Sequence, residues 1–182
     1  MTILPRLVHR ASTRDIVASE KKSNRDSKGC SHVGAAGQLA MMSELAWRGY
    51  NVAIPNIDVG YDILAINDAK PDYTRLQVKG ANPKKQKNSD CYQFKIRKGA
   101  IDRAYTDGVY VAFAMRVEKG WKFLILDGAV LHNYVESLNV GSRSDNGRYR
   151  RFDIILGHDG RVSCSKIDWS NHFEDWRRWP AL

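Results

Sequence analysis

Cysteine is scarce in this chain: Cys30, Cys91 and Cys164 are the three, scattered and odd in number. They form neither a disulfide framework nor a Cys-x-x-Cys metal knuckle. Cys30 and His32 are near enough in sequence to share a metal, but no second pair with ligand spacing accompanies them, and structural zinc needs four ligands. Long hydrophobic runs are missing too. No stretch approaches the ~20 apolar residues that span a bilayer, and residues 1–10 lack the apolar segment of a signal peptide. The expectation is a cytoplasmic protein with no membrane partner. A Gly-x-x-x-x-Gly-Lys-Ser/Thr phosphate loop, a Gly-x-Gly-x-x-Gly fingerprint and internal repeats are all absent, so nucleotide hydrolysis and dinucleotide redox chemistry have little support.

Acidic residues are in deficit. Against 29 Lys and Arg stand 20 Asp and Glu, a formal net charge of +9, which points to a polyanionic partner. The excess is segregated. Residues 1–30 hold seven basic residues against three acidic ones, residues 79–98 hold seven against Asp90 alone, and residues 143–151 hold four against Asp145, so the remainder of the chain is net acidic. Residues 1–30 read as a basic, mobile arm, and residues 31–182 as one domain large enough to bury a core.

Within that domain, Ala35, Leu39, Met42, Leu45 and Ala46 recur at helical spacing over residues 32–48, with Gln38 on the same stripe, Glu44 paired to Arg48 and Gly49 as the stop. Strands are expected at 52–54 and 61–66. Residues 73–79 alternate strictly, which sends Leu76 and Val78 to one face and Gln77 and Lys79 to the other. Residues 80–91 read as a polar loop, 92–97 as a strand, 100–105 as a short helix, and 109–117 and 121–126 as two strong strands. A helix over 127–138, a loop over 139–148 and a hairpin of 152–156 with 161–167 follow. Trp169, Phe173, Trp176 and Trp179 then form an apolar clamp. The fold class expected is α/β, a central mixed sheet flanked by helices.

Polar residues recur where a buried face should be apolar: Gln38 on the helix, Asp62 at a strand start, Gln77 and Lys79 together on a strand. Phosphodiester cleavage needs a cation on the scissile phosphate, an activated water and a positive group against developing charge. A carboxylate at the mouth of one strand and an acceptor-x-Lys pair on the next supply such groups, because magnesium takes hard oxygen ligands.

Gly34 and Gly37 on the helix, Arg48 to Val52, Pro55, Gly60-x-Asp62 and Gln77-Val78-Lys79 together resemble the PD-(D/E)XK nuclease superfamily, whose fold is restriction-endonuclease-like. The resemblance is tight over residues 34–80. It is to the branch carrying Gln-x-Lys, to which a group I intron homing endonuclease belongs. It implies a Mg2+- or Mn2+-dependent endodeoxyribonuclease in which Asp62 binds metal, Gln77 offers its amide oxygen with the Val78 carbonyl nearby, and Lys79 orients water or stabilises charge. Gln38 falls where the family carries a helix glutamate. Two positions that are often acidic are thus amides, Asp62 is the one assured carboxylate, and Asp58 is a candidate helper in the turn.

DNA is the expected partner, contacted by Lys84, Lys85, Lys87, Lys95, Arg97, Lys98, Arg148 and Arg150. Cutting two strands calls for two sites, hence a homo-oligomer, a dimer or tetramer. A DNA-binding module without catalysis on the same fold, and a basic RNA-associated protein, are the alternatives.

Overall fold

The alternation over residues 73–79 becomes β3 (Asp72–Ala81), whose Leu76 and Val78 are buried. The computed structural model describes residues 32–57, 59–67 and 72–176; the basic arm of residues 1–30, Asp58 and Trp179 lie outside them. From Val33 onward the described residues form one compact unit. β1 (Tyr50–Ala53) and β2 (Ile63–Asn67) pair antiparallel, and β2 continues antiparallel onto β3 with Ile63 opposite Leu76. On its other edge β3 runs parallel to β6 (Val109–Val117), which turns back into β7 (Gly120–Leu126). The order β1-β2-β3-β6-β7 makes a mixed sheet flanked by helices, the α/β arrangement expected.

Helix α1 covers one face of this sheet over residues 32–47, and its phase corrects the expected stripe by one position. Met41 and Leu45 are fully buried against Ile63, Leu76, Val78, Ala112 and Ala114, whereas Leu39 is 62% exposed and Ala35 and Ala46 face solvent. The buried ridge is 37, 41, 45, an i, i+4 row that opens on a glycine. A Cβ at Gly37 would stand 3.0 Å from the Ala114 Cβ and 3.1 Å from the Gly80 Cα. The helix therefore approaches β3 and β6 backbone to backbone, a contact that no apolar side chain announces. Glu44 pairs with Arg48 at 2.7 Å as expected, and Gly49 closes the helix at φ 86°.

On the opposite face, β6 and β7 are covered by a second sheet, which sequence patterning did not reveal. Its strands are β4 (Pro83–Lys85), β5 (Ser89–Arg97), β8 (Ser142–Ser144), β9 (Tyr149–Gly157), β10 (Val162–Cys164) and β11 (Ile167–Asp168), all antiparallel. β4 and β8 lie in stretches expected as loops. Both are short, mainly exposed strands with no apolar face to pattern. Tyr92, Phe94 and Ile96 of β5 point inward with Phe152 and Ile154 of β9 onto Val111, Phe113 and Met115. Helices α2 (Lys98–Asp107) and α3 (Gly128–Glu136) add Ile101, Ala104, Leu131 and Val135, and Asp127 caps α3 through the Ala129 N–H. Trp169 is buried and stacks on Tyr134, with ring centroids 5.3 Å apart. Phe173 packs beside Leu124, and Trp176 meets Phe123 edge-on while the Arg48 guanidinium lies 4.0 Å over its ring.

Two protonated groups in this core set an alkaline limit. Burial first, and Asp90 second, push the Tyr92 hydroxyl up from 10.0 to about 12, and burial pushes the Cys164 thiol up from 9.0 to about 12. The folded pKa values are raised, so their contribution to stability is complete below the unfolded values and is lost as pH climbs through the folded ones. The urea midpoint is expected to hold level up to pH 9 and to fall between pH 9 and 12. A midpoint level across that interval would mean that the folded chain leaves both groups open to ionise.

Candidate active site

Asp62 stands one residue ahead of β2, after Gly60, whose φ of 89° is a conformation suited to glycine. The Asp62 N–H donates to the Leu76 carbonyl at 2.7 Å, which extends the β2–β3 ladder by a residue. Its carboxylate then takes over the ladder's next bond: Oδ2 accepts the Val78 N–H at 2.7 Å. In an extended strand a residue sends its N–H and C=O to the same edge, so the Val78 carbonyl points to the edge of β3 on which its N–H meets Asp62. From α1, Gln38 Nε2 donates to the Asp62 main-chain carbonyl at 3.0 Å. Three elements meet here through backbone and side chain together.

Gln77 and Lys79 flank Val78 and point to the other face of β3, half-buried. Neither side chain has a hydrogen bond or ion pair among the described residues. The structure thus brings Gln38, Asp62 and Val78 into direct contact and puts Gln77 and Lys79 on either side of that contact. A further cation, from α2, has no signal in the local sequence. A Cβ at Gly60 would lie 3.7 Å from the Arg103 Cζ, so this guanidinium rests on the turn that carries Asp62, exposed and without an ion pair among the described residues.

The expected nucleic-acid residues divide by environment. Lys84, Lys95 and Arg97 share the outward face of the second sheet with Arg151, by the β5–β9 and β4–β5 registers. Lys84 donates to Gln93, Lys95 pairs with Asp145, and Arg97 donates to the Tyr149 hydroxyl at 3.1 Å. Lys85 pairs with Asp90 at 3.0 Å, while Lys87 and Arg148 are exposed in turns. Arg150 is a correction. It is 5% exposed, and its guanidinium holds Asn139 and the Gly141 carbonyl at 3.1 and 3.2 Å, so it anchors the 139–148 segment from inside and has no face for a phosphate.

Asp102, His132 and Glu136 form a group of metal-ligating side chains within 4.8 Å of one another, between α2 and α3. Lys98 already serves as its cation. The ammonium bonds Asp102 and reaches Glu136 at 3.1 Å, and the Asp102 hydrogen bond leads the causes that raise its pKa. The group is an ion-paired link between two helices. No helix among the described residues is long and apolar enough to cross a membrane.

No protein-family model and no curated relative matches this chain. Among solved structures, a bacterial homing endonuclease is similar at a TM-score of 0.43 and 18% identity, over 57% of this chain and 72% of that one. The Holliday junction resolvase of Archaeoglobus fulgidus, an archaeal hyperthermophile, is similar at a TM-score of 0.40 and 15% identity, over 66% of this chain and 83% of that one.

Proposed function

We propose that this chain is a metal-dependent endodeoxyribonuclease whose centre is Asp62, Gln77, Val78 and Lys79, with Gln38 in support. The observation that carries the reading is the pair of bonds at Asp62, which hold its carboxylate against the Gln-x-Lys strand and tie its main chain to α1. Asp62 Oδ1, the Gln77 amide oxygen and the Val78 carbonyl are hard oxygen donors that suit Mg2+ or Mn2+. When bound, the ion neutralises phosphate charge and acidifies a water. Lys79, with no side-chain partner among the described residues, offers its ammonium to the charge that develops on the phosphate, and Arg103 offers a second cation to a neighbouring phosphate. Gln38 keeps the Asp62 turn in place.

Residues 1–30 then act as a basic arm to a nuclease domain of residues 31–182. The chain works in the cytoplasm, where the free, buried thiols of Cys91 and Cys164 stay reduced. Cutting both strands falls to a symmetric oligomer. The two amides Gln38 and Gln77 favour the second reading, a module on the same fold that holds DNA without cutting it. Supercoiled plasmid separates the two readings. The purified full-length chain is expected to nick it with Mg2+ or Mn2+ and not with EDTA; binding without nicking under every metal would leave the module.

Gln38→Glu tests the support. A carboxylate has no N–H for the Asp62 carbonyl, so metal-free stability to urea is expected to fall by about 1–3 kcal/mol. Mg2+ should restore more of it than in wild type, because ligand charge raises affinity. Unchanged metal-free stability would rule out the Gln38–Asp62 bond.

A further inference from the structure

The second sheet packs on β6 and β7, and the side chains on the β2–β3 half of the same face are half-buried or exposed. The register places Leu64 opposite Arg75 and Ile66 opposite Tyr73, so these four share the face of Gln77 and Lys79. A cavity of about 450 Å³ lies there, lined by Tyr61, Leu64, Ile66, Asp72 and Tyr73. That volume belongs to small-ligand sites rather than to grooves for a helix. Tyr61 directly precedes Asp62 in the chain. Tyr73 precedes Gln77 by four residues, roughly 13 Å of strand.

Apolar area alone would not identify an occupant; the polar groups do. The Arg75 guanidinium stands 5.8 Å from the Tyr61 ring centre and 5.2 Å from that of Tyr73. It donates through Nη2 to the Tyr73 hydroxyl and through Nη1 to the Asp107 carbonyl at the end of α2, both at 2.9 Å. An exposed ring is thereby braced in place by a cation that is itself braced. Asp72 spends Oδ1 on the Tyr73 N–H at 2.8 Å, and its Oδ2 has no partner among the described residues. Flat aromatic rings beside a guanidinium, with a carboxylate oxygen at the rim able to accept from an exocyclic amine, match a nucleobase.

We propose that this cavity binds one unpaired base of the nucleic acid, a proposal that rests on the nuclease reading. A paired, stacked base has no free ring face to give. The substrate class is therefore DNA with a single-stranded or extruded nucleotide beside the cleaved bond. Lys79 lies six residues beyond Tyr73 on the same strand, roughly 20 Å, so at about 3.4 Å of axis per nucleotide a base on Tyr73 lies within roughly six nucleotides of a phosphate at Lys79.

The test uses the full-length chain in EDTA, with an oligodeoxynucleotide of roughly 16 thymidines carrying one central 2-aminopurine, single-stranded or paired to its complement. The wild type is expected to quench 2-aminopurine fluorescence on binding the single strand. Tyr73→Ala should bind that strand about 5- to 150-fold more weakly and lose the quench, with duplex affinity held within about twofold and the melting curve unchanged, because Tyr73 is 53% exposed. Tyr73→Phe, which keeps the ring and loses the hydroxyl, should retain most of the quench. Duplex binding by wild type without any quench, or equal losses on both probes, overturns the cavity proposal and leaves the nuclease reading standing. No binding to either probe overturns both. Conversion of an oligomer to a monomer by Tyr73→Ala in light scattering would assign the face to a second copy of the chain instead.

Discussion

Under the proposed function, Asp62→Asn and Lys79→Ala are each expected to lower metal-dependent DNA cleavage by about a thousandfold, roughly 4 kcal/mol of transition-state stabilisation. The two substitutions fail for different reasons. Asparagine keeps the shape of Asp62 and an oxygen for the Val78 N–H, so the turn survives while the site's one assured carboxylate loses its charge. Asp62→Asn should therefore bind DNA as wild type does and bind Mg2+ more weakly. Lys79 has no side-chain partner among the described residues to leave stranded, so its removal should spare stability and take away only the cation beside Val78. Single-turnover cleavage of plasmid, with DNA affinity and urea stability measured alongside, separates these outcomes. Undiminished cutting by both variants would place the chemistry elsewhere.

Gly80→Ala destabilises the fold by about 3 kcal/mol, roughly 150-fold in the folded-to-unfolded ratio. A Cβ at Gly80 would fall inside contact distance of the Val33 carbonyl oxygen, and would stand 3.1 Å from the Val33 carbonyl carbon and 3.3 Å from the Gly34 Cα. All three neighbours are backbone of α1 and cannot rotate away. Either α1 lifts off β3 or the strand bends, and both movements pull Gln38 from the Asp62 carbonyl, so the proposed cleavage is expected to fall with stability. Gly34→Ala is the matched control. Nothing lies within 4 Å of a Cβ there, so that helix position should gain up to about 1 kcal/mol from alanine. Equal urea midpoints for Gly80→Ala and wild type would show that α1 and β3 do not touch.

What patterning could and could not read follows from where each signal resides. Leu76 and Val78 against Gln77 and Lys79 were legible because a strand's period of two is written into adjacent residues. The phase of α1 was not. Its innermost contact is Gly37, and counting apolar side chains slid the stripe onto Leu39, which is exposed. β5 alternates plainly, yet nothing near Phe94 says that its partner is Phe152, so the second sheet stayed hidden until the pairing was seen. Arg150 was grouped with its basic neighbours, because only the distant Asn139 and Gly141 make it an interior residue. At the site, Gln38 was read as facing inward, while its partner, a main-chain carbonyl 24 residues away, leaves no trace in side-chain pattern. Arg103 reaches the Asp62 turn across the fold and was missed for the same reason.

The three bonds at Asp62 also have an entropic meaning. Its N–H, its C=O and one carboxylate oxygen are each fixed by Leu76, Gln38 and Val78. Ordering a residue costs about 1–2 kcal/mol for the backbone alone, and at Asp62 that loss belongs to folding. A ligand that arrives meets a carboxylate already at rest, and its affinity is not reduced by the freedom that a mobile loop would have to surrender.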